Sequence, residues 1–144
     1  MAGLRGRVGG TLVLDAEGLA RLAADHPAAY ARLKAARNRR SAVVVAASTL
    51  TEVLRGGPKD ARMHRVLGGM TVVSIDKQQG RAAGELLGLT GSSGHRCALD
   101  ALLAVVALAQ PRPVVLLTSD TDDMRRLTEE PSRPRAERIE VARI

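Results

Sequence analysis

Three carboxylates crowd into four residues at Asp120, Asp122 and Asp123, directly behind an apolar run, Val114 to Leu117, and two hydroxyls, Thr118 and Ser119. A short apolar run bounded by polar residues reads as a buried strand. In α/β sheets, chemistry collects where strands release the chain at their carboxyl ends. Acids this close repel one another, so they need a cation, shared protons or wide spacing. Three more acids fit the same description. Asp15 ends the run Leu12-Val13-Leu14, Glu52 opens a helical pattern behind Ala42 to Ala47, and Asp100 lies at the start of an apolar helix. A ring built from Asp15, Glu52, Asp100 and Asp120 suits Mg²⁺ or Mn²⁺, because hard cations take oxygen ligands. Such an ion activates water and neutralises charge developing on a phosphodiester.

Each acid also has a plainer role open to it. Asp15 fits a turn or a helix N-cap. Glu52 is favoured near a helix start by the dipole, and Asp120 can cap a helix through Asp123. Asp100 resists such an account, since an unpaired carboxylate beside a buried apolar helix is costly. Other chemistries fit less well. His26, His64 and His95 lack metal-ligand spacing, and no P-loop or nucleophile-elbow pattern occurs. The lone Cys97 excludes an internal disulfide framework and a multi-cysteine zinc site.

The elements that must carry these acids follow from the pattern. Strands are expected at Thr11 to Asp15, Ala42 to Ala47, Thr71 to Ile75 and Val114 to Leu117, with an edge strand at Ile139 to Val141. Between them, helical patterns run from Leu19 to Ala24, from Pro27 to Asn38, over Leu50 to Leu54, from Asp60 to Leu67 and from Asp76 to Leu87. Gly88 to Gly94 reads as a loop. Cys97 to Ala109 reads as a buried helix with Asp100 in its first turn, and Asp122 to Glu130 as a last short helix. Strands alternating with helices predict an α/β fold whose central, mainly parallel sheet is flanked by helices. One domain is expected over residues 1–144, with Met1 to Gly10 as a flexible, Gly/Arg-rich lead-in.

Tyr30 is the only aromatic residue, so the core must be built from Leu, Val and Ala. The net charge is +7, and among the 22 basic residues only Lys34, Lys59 and Lys77 are lysine. Arginine's planar fork suits phosphate, so the charge fits either a polyanionic partner or the plainer reading, a base-composition bias toward arginine codons with ordinary surface solvation. Without aromatic stacking platforms, binding would rest on arginine–phosphate contacts and depend strongly on salt. Arg37, Arg39 and Arg40 form the clearest cluster; they either meet phosphate or satisfy a helix C-terminus. The longest apolar stretch, Ala101 to Ala109, is too short for a bilayer span. With no apolar h-region near Met1, a cytoplasmic location and no membrane contact are expected.

Four motifs in this order resemble the PIN-domain ribonucleases, specifically the toxin component of VapBC-type toxin–antitoxin systems. They are Leu12-Val13-Leu14-Asp15, Thr49-Leu50-Thr51-Glu52-Val53-Leu54-Arg55-Gly56, Ala98-Leu99-Asp100-Ala101-Leu102-Leu103-Ala104 and Thr118-Ser119-Asp120-Thr121-Asp122-Asp123. Met124 departs from the aromatic residue frequent after the last motif. The resemblance implies a PIN-like three-layer fold and a Mg²⁺- or Mn²⁺-dependent endoribonuclease acting on RNA, often tRNA or rRNA. It also implies a homodimer and a cognate antitoxin that lies over the acidic groove. It assigns catalysis to Asp15, Glu52, Asp100 and Asp120, and the metal to Asp15, Asp100 and Asp120 with Asp123 at the periphery. Asp122 falls one residue off the motif. Thr118 and Ser119 would hold substrate or orient a carboxylate, and Arg55 would meet antitoxin or substrate phosphate. The alternative is a non-catalytic PIN-like module that binds RNA or protein. Phosphoryl transfer of the dehalogenase type is disfavoured by Asp15-Ala16-Glu17, and of the receiver type by the placement of the lysines.

Overall fold

The computed structural model describes residues 9–144. Among these residues, β1 (Thr11–Leu14) leads into α1 (Ala16–Ala23) and α2 (Pro27–Asn38), then β2 (Ala42–Ala46). After a single 3₁₀ turn come α3 (Leu50–Val53), α4 (Ala61–Leu67), β3 (Thr71–Val73) and the helical hairpin α5 (Lys77–Thr90) and α6 (Gly94–Leu108). The chain closes with β4 (Val114–Thr118), α7 (Thr121–Leu127) and β5 (Glu140–Arg143). The sheet order is β3-β2-β1-β4-β5, and every neighbouring pair is parallel.

Strand periodicity divides the core in two. Leu12 and Leu14 face one side with Leu19, Leu22, Leu33 and Met63 of α1, α2 and α4. Val13 faces the other with Leu103, Ala104, Val106 and Ala107 of α6 and with Met124 and Leu127 of α7. A helix–sheet–helix sandwich results. In the absence of large aromatics, the alanines of α6 let that helix lie close to the sheet. Met124, at 1% exposure, fills the place behind the last acidic motif.

The helix expected from Cys97 starts three residues earlier, because Ser93 caps it: its hydroxyl accepts the Arg96 N–H at 3.4 Å. Asp100 therefore stands at the end of the second turn rather than in the first. The expected Gly88–Gly94 loop shrinks to three residues, since α5 continues to Thr90 and ends on Gly91 in the left-handed region, φ +64°. Most of the expected flexible lead-in lies outside the described residues. Gly9 and Gly10, its last two, are built into the sheet: the Gly9 N–H donates to the Arg40 carbonyl, and the Gly10 carbonyl accepts from Ala42. A side chain at Gly10 would collide with the Pro113 carbonyl, 2.1 Å from where its Cβ would sit.

Candidate metal centre

The chain runs from β1 to β2 to β3 on one side of β1, then crosses to β4 on the other. The reversal of direction lies between the carboxyl ends of β1 and β4, the crevice where open parallel sheets bind ligands. Asp15 leaves β1 there and Asp120 leaves β4.

Asp15 serves as the N-cap of α1, its Oδ1 accepting the Gly18 N–H at 2.7 Å. Its Oδ2 accepts the N–H of Ser119 from the neighbouring strand end at 3.0 Å. One carboxylate thus pins both strand exits together. On the other side, the buried Thr118 hydroxyl accepts the Asp120 N–H at 3.0 Å, and Asp120 caps α7 by accepting the Asp123 N–H at 3.2 Å. That cap sets Asp123 in the first turn, where the dipole favours an acid. Both plainer roles weighed for Asp15 and Asp120 are real, and they hold the acids in place.

Asp100 reaches the same point from α6. Ligand oxygens of Asp100, Asp120 and Asp123 all lie within 4.8 Å of one another, the one such acidic group among the described residues. Two full charges 4 Å apart repel by about 4 kcal/mol at an effective dielectric near 20. Burial first, then the charges of Asp120, Asp123, Glu52 and Asp15, push the Asp100 carboxyl up to about 6. Glu52, at the rim beyond β2, is also raised, by partial burial and by Asp15. Part of the excess charge is offset within the chain, since Arg126 is ion-paired with Asp123. All donors are carboxylate oxygens, which fits Mg²⁺ or Mn²⁺ and not a soft or nitrogen-seeking ion.

The arrangement refines the expected set. Asp123, placed at the periphery by resemblance, stands inside the compact triad. Asp15 and Glu52 stand beside it, close enough to repel Asp100. Asp122 points away, its side chain 93% exposed and 3.9 Å from Arg125. Thr118 is 2% exposed and orients the Asp120 backbone, so it is buried away from substrate, whereas Ser119 is exposed. Arg55 folds back on its own helix, donating to the carbonyls of Thr51 and Leu54 at 2.9 and 2.7 Å. Arg39 and Arg40 lie at the amino end of β2, opposite the acids, where Arg40 bonds Gly9. Arg37 packs over Gly69 on the α4 side of the sheet. This cluster is not brought to the acidic crevice.

Two residues of consequence carry no signal in the sequence pattern. Arg143, on β5, donates to the Ser119 carbonyl at 3.1 Å and to the Thr121 hydroxyl at 2.9 Å, strapping the turn on both sides of Asp120. Asp60 is buried and holds the loop after Glu52, accepting the N–H groups of Arg55 and Gly56 at 2.9 and 2.7 Å. Those two bonds hold its carboxyl below the usual range. An arginine in an edge strand or an acid at a helix start gives no pattern that separates it from solvent-facing charge.

No family model matches the sequence, and no curated protein matches it. Solved structures do. A chain of VapBC2 from Rickettsia felis, bound to a DNA fragment from its promoter, matches with a TM-score of 0.65 at 17% identity, covering 91% of this chain and 98% of that one. A chain of DNA-bound VapBC from Salmonella typhimurium matches with a TM-score of 0.56 at 20% identity, covering 91% of this chain and 97% of that one. The α/β architecture expected from the motifs, a parallel sheet flanked by helices, is therefore observed, and it is the fold these chains of VapBC complexes share.

Proposed function

We propose that this chain is a Mg²⁺- or Mn²⁺-dependent endoribonuclease, the toxin of a toxin–antitoxin pair neutralised by a cognate antitoxin. One observation carries the reading: three carboxylates from two helices converge within 4.8 Å at the switch point of the sheet. Such crowding raises Asp100 and is relieved by a hard divalent cation. The likeness to chains of DNA-bound VapBC complexes supports an antitoxin partner and an assembly with it on DNA.

Asp100, Asp120 and Asp123 hold the cation. A bound Mg²⁺ or Mn²⁺ supplies an activated water and neutralises charge developing on the phosphodiester. Asp15 fixes the distance between the two strand exits through the Ser119 amide. Glu52, its carboxyl raised, is suited to take up a proton at the rim. Thr118 orients Asp120, and the exposed Ser119 hydroxyl is available to substrate. No histidine base is required. A 5′-phosphate product is expected.

The test is cleavage of total cellular RNA by the purified chain with Mg²⁺ or Mn²⁺, against EDTA and beside Asp100→Asn. Discrete metal-dependent products that vanish in the variant support the nuclease. Intact RNA with either metal, from folded protein, turns the assignment to a non-catalytic binding module.

A further inference from the structure

With Arg39 and Arg40 at the opposite end of the sheet and Arg37 away from the crevice, an RNA strand entering the acidic crevice needs other cations. A cavity of about 260 Å³ lies between the Gly91–Ser93 turn and α7, lined by Ser92, Ser93, Arg96, Cys97, Asp123 and Arg126. Asp123 belongs to this cavity and to the acidic triad, so the two adjoin. The turn is held firmly: the Thr90 and Ser92 hydroxyls bond at 2.8 Å, and the Ser92 N–H donates to the Leu87 carbonyl at 3.0 Å. Arg96 is exposed and takes part in no ion pair among the described residues. Arg126 has one partner, Asp123.

We infer that this cavity is a phosphate subsite, in which Arg96 and Arg126 grip the backbone phosphate of a single RNA strand next to the one at the triad. The inference rests on the nuclease reading and deepens it. Two planar guanidinium groups beside the Ser93 hydroxyl, whose oxygen accepts the Arg96 N–H and whose proton stays free, match the donor set that phosphate takes. The pairing of Arg126 adds a coupling. A cation drawn to Asp123 competes with the guanidinium for the same carboxylate and frees it for phosphate. Metal and RNA therefore bind with positive, reciprocal linkage.

The test measures binding of a labelled single-stranded RNA oligonucleotide by fluorescence anisotropy, with Ca²⁺ in place of Mg²⁺, across a salt series. Wild type is compared with Arg96→Gln, Arg126→Gln and the double variant Arg39→Gln/Arg40→Gln. Losing the one phosphate contact that the two guanidinium groups share lowers the slope of log affinity against log salt by up to about 0.7. That decrease is expected in the first two variants and not in the double variant. Because Arg126→Gln also releases Asp123, a Mn²⁺ titration accompanies it: Mn²⁺ binding tightens in Arg126→Gln and is unchanged in Arg96→Gln. An unchanged salt slope in Arg96→Gln and Arg126→Gln, with wild-type cleavage intact, overturns the subsite and leaves the nuclease standing. Wild type that neither binds nor cuts RNA removes both.

Discussion

Replacing Asp100 by Asn removes one negative charge at nearly constant shape from the most crowded point of the molecule. Its carboxyl rises from 3.8 to about 6 on folding. Below about pH 3.8 both folded and unfolded chains are protonated there, and the group contributes nothing to stability. Between the two values the unfolded chain loses the proton first, so stability falls as pH rises. Above about pH 6 the full penalty is present. The rise from 3.8 to about 6 corresponds to about 3 kcal/mol, and partial exposure of Asp100 calls for roughly halving it. The variant is thus expected to be about 1–2 kcal/mol more stable than wild type near pH 8, or roughly 3–6 °C in Tm.

Thermal unfolding in EDTA at about pH 8 and at about pH 4 measures this directly. The gain is expected at the higher pH and should shrink toward zero at the lower. Added Mg²⁺ reverses the order, since a cation bound only to the folded state stabilises wild type by about 2.7 kcal/mol at a hundredfold excess over Kd. Asn, a weaker ligand, forgoes most of that. An Asn variant that is less stable than wild type at high pH without metal would show that the carboxylates do not repel as their spacing requires. An equal gain at both pH values would trace the effect to packing instead of charge.

Two further outcomes follow from single residues. Arg143→Ala releases the turn around Asp120 while removing an exposed side chain, so Mn²⁺ affinity is expected to fall about tenfold or more with little change in Tm; Arg143→Lys does not restore it, because one ammonium cannot span both acceptors. Glu130, held below the usual range chiefly by Arg112 with which it forms a 2.6 Å ion pair, contributes stability above about pH 4.5 that is lost as pH falls through its folded value; Arg112→Ala leaves that half-buried carboxylate with Arg133 and the Ile139 N–H as its remaining partners and is expected to cost about 2 kcal/mol near neutral pH, read by urea unfolding, with Mn²⁺ affinity unchanged.

β1, β2 and β4 were legible because each is a short apolar run closed by polar residues, and they depart from expectation by at most one residue at an end. β3 stops at Val73, two residues short of the expected Ile75, and β5, which begins on Glu140 and ends on Arg143, runs two residues past the expected Val141. α2 runs from Pro27 to Asn38 as expected, its start marked by a proline in the first turn. The start of α6 was not legible in the same way. Gly-Ser-Ser-Gly reads as a turn by composition, yet its second serine caps a helix whose first residue is the following glycine. Turn and cap draw on the same residue types, and only the packing of α6 under α5 decides between them.

The acids were legible for a related reason, and their grouping was not. A carboxylate at a strand exit can be seen in sequence, whereas distances between exits depend on strand order. The order β3-β2-β1-β4-β5 puts Asp15 against Ser119 and leaves Glu52 one strand further out. Asp123 enters the triad because Asp120 caps α7 and turns its first helical turn toward Asp100. The same rule separates the arginines. Arg37, Arg39 and Arg40 form the densest basic cluster in sequence, but in a parallel sheet a helix C-terminus feeding a strand lies at the amino end of that strand. Acids that follow strands and bases that precede them cannot share one end of such a sheet. Cations that serve the acidic end must come from the first turn of a helix, as Arg96 does, from a helix as short as α7, whose last turn carries Arg126, or from the last residues of a strand, as Arg143 does.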